Sequence, residues 1–195
     1  MAMPVIPRWE WRTFGVEFPS AEQALSGAPV RVQESAETYL LCESDAINTK
    51  IRGGILDIKQ LHERRDGLEL WSPVLKLTFP VAADALTSLW AFWQVATPAC
   101  ERSEYSETAF LTDLVPRVPG VVVVPVSKTR RQAVVDDCMV ELSTVYVRDR
   151  CVLTVAVESE APERITALVR ALGLSGEANV NYVVGLKRLM EGATS

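Results

Sequence analysis

The chain has 195 residues, 48% of them hydrophobic, and a formal net charge of −5. That length and apolar content bury a full core, so one domain spanning 1–195 is expected, and the acidic balance excludes a general nucleic-acid binder with a broad basic surface. No run reaches the apolar length of a membrane span, and the opening MAMPVIPRWEW lacks the charged, apolar and small-residue order of a secretion signal, so a cytoplasmic protein with no membrane partner is expected.

In chain order, the pattern predicts a strand over Trp9 to Val16 and a short helix from Ser20 with Glu22 and Gln23 in its first turn. Strands follow at Thr38 to Cys42, Ile47 to Arg52 and Ile55 to Leu61, with Gly53-Gly54 turning between the last two. Leu68 to Thr78 is interrupted by Pro73 and is expected as an irregular or edge strand. Pro80 opens VAADALTSLWAFWQV, whose Ala, Leu and Trp content predicts a helix of about four turns. Its Trp90, Phe92 and Trp93 are assigned to core packing, because base-stacking aromatics come with basic neighbours and none lie close. Ser103 to Leu114 is a weaker helix. From Val121 the pattern is β again: a strand to Val135, a turn at Asp136-Asp137, a strand from Met139 to Arg148, a turn at Asp149-Arg150, and a strand from Cys151 to Glu160. Pro162 starts a helix to Leu172, with Gly173 closing it. Two β groups around a mainly helical stretch predict an α+β fold, an antiparallel sheet curling into a barrel or deep cup with helices packed outside.

Cys42, Cys100, Cys138 and Cys151 are scattered without a CxxC pair, which points to buried, inert thiols. His62, the single histidine, lies near a turn at Asp66-Gly67 and is expected in water at a strand end. A His-rich metal centre is excluded, and no GxSxG, GxxxxGK[ST] or GxGxxG motif accompanies it.

The charges carry the chemistry. Side chains alternate between the faces of a strand, so Lys50 and Arg52 share a side with Asn48, away from Ile47, Thr49 and Ile51; Lys128 and Arg130 share one likewise. Lys59 and Lys76 add cations on further strands, and Glu158 and Glu160 are spaced for one face. Solvation of a polar outer face would account for any one such strand. Cations from several strands with a few acids instead suit a polyphosphate and its metal.

The order of these motifs resembles the CYTH superfamily, the triphosphate tunnel metalloenzymes, which include thiamine triphosphatases, class IV adenylate cyclases and inorganic tripolyphosphatases. The resemblance runs over most of the chain: Glu10 and Arg12 on the first strand, Lys50 and Arg52, a later lysine at Lys59 or Lys76, Lys128 and Arg130, Glu141, the Glu158 and Glu160 pair, and a late Lys187 after the C-terminal helix. It implies a cationic tunnel in which Arg12, Lys50, Arg52, Lys59, Lys76, Lys128, Arg130 and Lys187 hold the substrate. Glu10, Glu158 and Glu160 are then the catalytic carboxylates, and with Glu141 they hold Mg2+ or Mn2+. The family's first strand reads E-x-E-x-K, whereas this one reads Arg8-Trp9-Glu10-Trp11-Arg12, which removes one metal carboxylate and adds a cation; Glu17 would compensate only in another register.

Three functions follow. The first is metal-dependent hydrolysis of a small triphosphate, either inorganic tripolyphosphate or a nucleoside or thiamine triphosphate. The second is a non-catalytic polyphosphate- or nucleotide-binding module of the same fold, and the third, placed behind them, is adenylate cyclisation. The partner is a small-molecule triphosphate or polyphosphate, with the assembly open between monomer and homodimer.

Overall fold

The computed structural model describes residues 6–192. Its strands are β1 (Arg8–Gly15), β2 (Arg31–Leu41), β3 (Ile47–Arg52), β4 (Ile55–Arg65), β5 (Leu68–Thr78), the short pair β6 (Val81–Ala82) and β7 (Glu104–Tyr105), β8 (Val122–Val135), β9 (Cys138–Val147) and β10 (Arg150–Ser159). The helices are α1 (Pro19–Ser26), α2 (Thr87–Trp93), α3 (Glu107–Ala109), α4 (Pro162–Ala171) and α5 (Tyr182–Glu191). Eight strands close an antiparallel barrel in the order β1-β10-β9-β8-β2-β3-β4-β5, the α+β barrel that the alternating pattern predicts. Closure pairs every strand of the barrel on both sides, and only the short β6-β7 pair has open edges among the described residues.

The described residues group into two compact units, one holding 6–36, 61–72 and 126–192, the other 37–60 and 73–125. In the first unit, two-residue turns set the register. Asp136 and Asp137 both adopt positive φ (49° and 59°), a conformation that short polar side chains tolerate, and so pair Val135 with Cys138. Trp9, Trp11, Val140, Leu142, Val155 and Val157 then share the face that packs on Ala21 and Leu25 of α1 and on Ile165, Leu168 and Val169 of α4. The apolar members of these strands occupy every second position, which leaves the other face to polar side chains.

The second unit repeats the scheme. Gly53 and Gly54 take positive φ (56° and 72°) and pair Arg52 with Ile55 across a two-residue turn. Leu40, Ile47, Ile51, Leu56 and Ile58 pack against Leu89, Trp90 and Trp93 of α2 and against Phe110 and Leu114. Trp90 and Trp93 are core residues, as expected, and meet edge to face at 5.5 Å.

Several boundaries differ from the sequence reading. The helix expected from Pro80 shrinks to Thr87–Trp93, because Val81 and Ala82 pair with Tyr105 and Glu104 and the Ala83 N–H donates to the Ser103 carbonyl. The weak helix over Ser103 to Leu114 splits into β7, α3, a π-helical turn (Phe110–Leu114) and a 3-10 turn (Val115–Arg117). Pro73 sits inside a continuous β5, where pairing with β1 covers only Glu69, Leu70 and Trp71, so its missing N–H costs nothing on that side. β2 begins seven positions earlier than expected (Arg31 in place of Thr38). The β9–β10 turn is Arg148-Asp149, one residue early, and Lys187 lies within α5 instead of after the last helix. Cys42 and Cys138 are buried, whereas Cys100 and Cys151 are exposed and correct the expectation for all four. His62 is exposed as expected, in β4, and its Nε2 is hydrogen-bonded to Ser72 Oγ.

Candidate functional site

In the first unit the polar face of β1, β10, β9 and β8 is a continuous patch. Cross-strand register sets Glu10 opposite Glu158, Arg12 opposite Ala156, Ala156 opposite Glu141, and Glu141 opposite Gln132, with Arg130 opposite Ser143 one step further along. Four of its charged side chains are almost fully buried: Arg12 (4% exposed), Lys128 (5%), Glu141 (7%) and Arg130 (8%). Burying ionised groups is costly unless each finds partners, so the hydrogen bonds decide what this face is for.

Arg12 is the hub. Its Nε donates to Glu10 Oε1 at 2.9 Å, and its Nη1 donates to Thr154 Oγ1 at 3.3 Å and Glu141 Oε1 at 3.5 Å. Burial works against its charge, but Glu10 and Glu141 outweigh that and hold its proton more tightly than in water. Glu141 has both oxygens engaged: Oε1 also accepts from Ser143 Oγ (3.0 Å) and Oε2 from Gln132 Nε2 (2.8 Å). Burial pushes the Glu141 carboxyl up, yet Arg12, Lys128 and Arg130 together hold it below its ordinary range.

Tyr182, the first residue of α5, lies against this cluster. The Arg12 guanidinium carbon is 4.6 Å from its ring centroid and Lys128 Nζ is 4.0 Å from it, two cation–π contacts on one ring. The helix is seated there by Asn181, whose Oδ1 accepts from the Val184 N–H and whose Nδ2 donates to Glu69 Oε1. Arg130 Nε is buried without a hydrogen-bond partner among the described residues. A donor on a buried cation left in that state is costly, and an anion would satisfy it.

The second unit carries its own cationic set. Lys50 is flanked across the strands by Tyr39 and Asp57, and Lys59 by Asn48. Arg52 Nη1 contacts Glu37 Oε1 at 3.4 Å, and the same carboxylate accepts from the Tyr39 hydroxyl at Oε2. Burial lowers the Lys50 pKa; Arg52 and Lys59 add to that, while Glu37 and Asp57 oppose it. Asn48 Oδ1 and Asp57 Oδ1 are buried without hydrogen-bond partners among the described residues.

The structure therefore brings Glu10, Arg12, Lys128, Arg130, Glu141 and Glu158 together in one unit, and Lys50, Arg52 and Lys59 in the other. It separates the rest. Glu160 lies beyond the end of β10 and is exposed, because the strand stops at Ser159 before the period-two row reaches it. Lys76 is exposed near the end of β5, Glu17 is exposed past β1, and Lys187 is about 140° around α5 from Tyr182. Glu69, Gln132, Ser143, Thr154 and Tyr182 were missed. Gln132, Ser143 and Thr154 continue the period-two rows of Arg130, Glu141 and Glu158, a signal present in the sequence; Tyr182 had none.

The carboxylates do not fit the divalent ion that the sequence reading assigned to them. Glu10 and Glu141 are bonded to Arg12, Glu160 is absent from the face, and among the described residues no group of three or more His, Cys, Asp or Glu is arranged to hold a metal. A divalent ion about 4 Å from a guanidinium is repelled by roughly 8 kcal/mol at an effective dielectric near 20.

No family model and no curated protein matches the chain. Solved structures do. A conserved hypothetical protein from Pyrococcus furiosus superposes with a TM-score of 0.54 at 14% identity, over 90% of this chain and 98% of that one. An adenylyl cyclase candidate from Hippeastrum with a dominant triphosphatase activity gives 0.52 at 11%, over 96% and 97%. An adenylate cyclase candidate from Bacillus halodurans gives 0.50 at 14%, over 89% and 94%. At these identities the likeness establishes the barrel fold.

Proposed function

We propose that this protein binds a small triphosphate or polyphosphate on the polar face of its barrel strands, with Lys128 and Arg130 gripping phosphate oxygens. The observation that carries the reading is Arg130: a cation 8% exposed, beside buried Lys128, with an Nε that has no hydrogen-bond partner among the described residues. Arg supplies planar, bidentate contacts to phosphate and Lys a point charge, so the pair suits a polyanion better than a single carboxylate. Lys50, Arg52 and Lys59 supply a second cationic set on β3 and β4.

Hydrolysis is the second reading, and the Hippeastrum protein, whose fold this chain shares, favours it. The metal-dependent form of that reading needs carboxylates open to a cation, and Glu10 and Glu141 are held by Arg12. Binding is accordingly preferred to turnover, and cyclisation, with no base-recognition residues identified, stands behind both. Calorimetric titration with tripolyphosphate, ATP and thiamine triphosphate, with a phosphate-release assay of the same panel in magnesium, manganese and chelator, decides among them. Binding without release is the expected result. Release from any one substrate would establish hydrolysis, and no heat with any ligand would sink the polyanion reading.

A further inference from the structure

The acids of the first unit are neighbours by register. Glu10 stands opposite Glu69 on β5 and opposite Glu158 on β10, while Glu141 lies on the next strand, opposite Ala156. An anion approaching Lys128 and Arg130 on β8 would meet these carboxylates and be repelled unless a cation covered them. A cation is already there. Arg12 extends from the middle of β1, with Nε on Glu10 and Nη1 between Glu141 and Thr154.

We infer that Arg12 is a built-in cation occupying the place of a divalent metal on this face, so that the protein takes up its anion without a metal ion. Three observations carry this beyond the charge count. Arg12 cannot readily swing away: its backbone N–H donates to Asn179 Oδ1 at 2.9 Å, its carbonyl accepts from the Val180 N–H at 2.6 Å, and Tyr182 covers its guanidinium. Of the two acids it touches, Glu141 accepts from Arg12, Ser143 and Gln132 at once. A further acid of the row, Glu69, is engaged elsewhere: its Oε1 accepts from Arg64 (3.0 Å) and Asn181 (3.1 Å), and its Oε2 from Trp71 Nε1 (3.1 Å). Each bond to a fixed protein donor is one that a metal would have to break.

The identity of the anion rests on the polyphosphate reading above; the exclusion of a metal from these carboxylates does not. The test separates the two. The electron paramagnetic resonance signal of free Mn2+ is followed as wild-type protein and Arg12→Gln are added, and tripolyphosphate is titrated into both in EDTA and in magnesium. The expected results are no uptake of Mn2+ by the wild type up to about 1 mM, the weak end of protein sites for hard cations, and tripolyphosphate binding in EDTA at least as tight as in magnesium. Arg12→Gln removes the cation from Glu10 and Glu141, so it is expected to take up Mn2+ and to bind tripolyphosphate in EDTA about tenfold or more weakly, the equivalent of one lost charged contact. Mn2+ uptake by the wild type at tens of micromolar, tripolyphosphate binding that appears only with metal, or a folded Arg12→Gln protein that gains no Mn2+ affinity would each overturn the inference. Should the variant fail to fold, as circular dichroism would reveal, the wild-type measurements decide alone. A wild type that refuses Mn2+ and also ignores tripolyphosphate would support the metal exclusion while removing the polyphosphate reading.

Discussion

Replacing Lys128 and Arg130 together by alanine separates a ligand-gripping role from a structural one. Each side chain removes a charged hydrogen-bonding group worth about 1.5 to 3 kcal/mol to a bound anion, so the pair should cost roughly 3 to 6 kcal/mol of tripolyphosphate affinity. That is a loss of about two to just over four orders of magnitude in Kd. Folding should respond much less, because opposing effects meet there. Truncation takes two of its three cationic neighbours from Glu141 and removes Lys128 from the Tyr182 ring, a contact worth about 1 kcal/mol. It also removes the unsatisfied Arg130 Nε, whose burial costs about 1 to 3 kcal/mol. Calorimetric titration in EDTA with a parallel thermal melt reads both quantities. Unchanged affinity in a protein that melts normally would refute the phosphate assignment and leave the two cations as counter-charges for Glu141.

Three further outcomes follow from titration and exposure. Glu141, held below its ordinary carboxyl value of 4.5, contributes stability that is present above that value and is lost as pH falls through and below it. The melting temperature should therefore drop on acidification below about pH 5, and Glu141→Gln should flatten that limb; an equally steep fall in the variant would contradict the assignment. Lys50 has the opposite sign, since a lysine whose folded pKa is lowered binds its proton less well than the unfolded chain does and so destabilises the fold at neutral pH, a penalty relieved as pH rises toward 10.5. Lys50→Met should stabilise by about 1 kcal/mol at pH 7 in a denaturant titration, and a loss of stability would show that its partners outweigh its burial. Iodoacetamide on the native protein should label Cys100 and Cys151 before Cys42 and Cys138, which peptide mass mapping checks; burial raises the Cys138 pKa and slows it further.

The faces of the strands were legible in the sequence and their partners were not. Ile47, Thr49 and Ile51 alternate with Asn48, Lys50 and Arg52, and a two-residue Gly53-Gly54 turn leaves little freedom in how β4 returns, so the apolar set reaches α2 as the pattern predicts. What Arg12 touches is a different kind of fact. Glu141 and Thr154 are 129 and 142 positions away from it, and only the closed strand order brings them alongside. The replacement of the expected lysine by Arg12 was visible, but its capture of two acids was not. Composition misled at α2, where three alanines favour helix over Val81–Ala85 yet pairing with β7 and an Asp84 Oδ1 that accepts from the Ala85 N–H delay it to Thr87. It also hid α5, although Asn181 before an apolar Tyr182-Val183 pair is a helix start signal.

Tyr182 explains why the first-unit cluster behaves as one body. A buried cation needs either an anion or a π-face, and this ring serves Arg12 and Lys128 at once while its helix is anchored through Asn181 to Glu69, an acid of the same face. Glu69 on β5, Glu10 on β1 and Glu141 on β9 are tied to protein donors, and the cations nearest an incoming anion are those of β8. Charge on this face is graded across the strands, with Arg12 screening the acidic end from whatever the basic end holds. Carboxylates free to bind metal would give a different gradient, one that an added cation completes. Here the completing cation is covalently part of β1, so affinity for a polyanion should respond to ionic strength through screening and stay insensitive to a divalent metal except as a competitor for the ligand in solution.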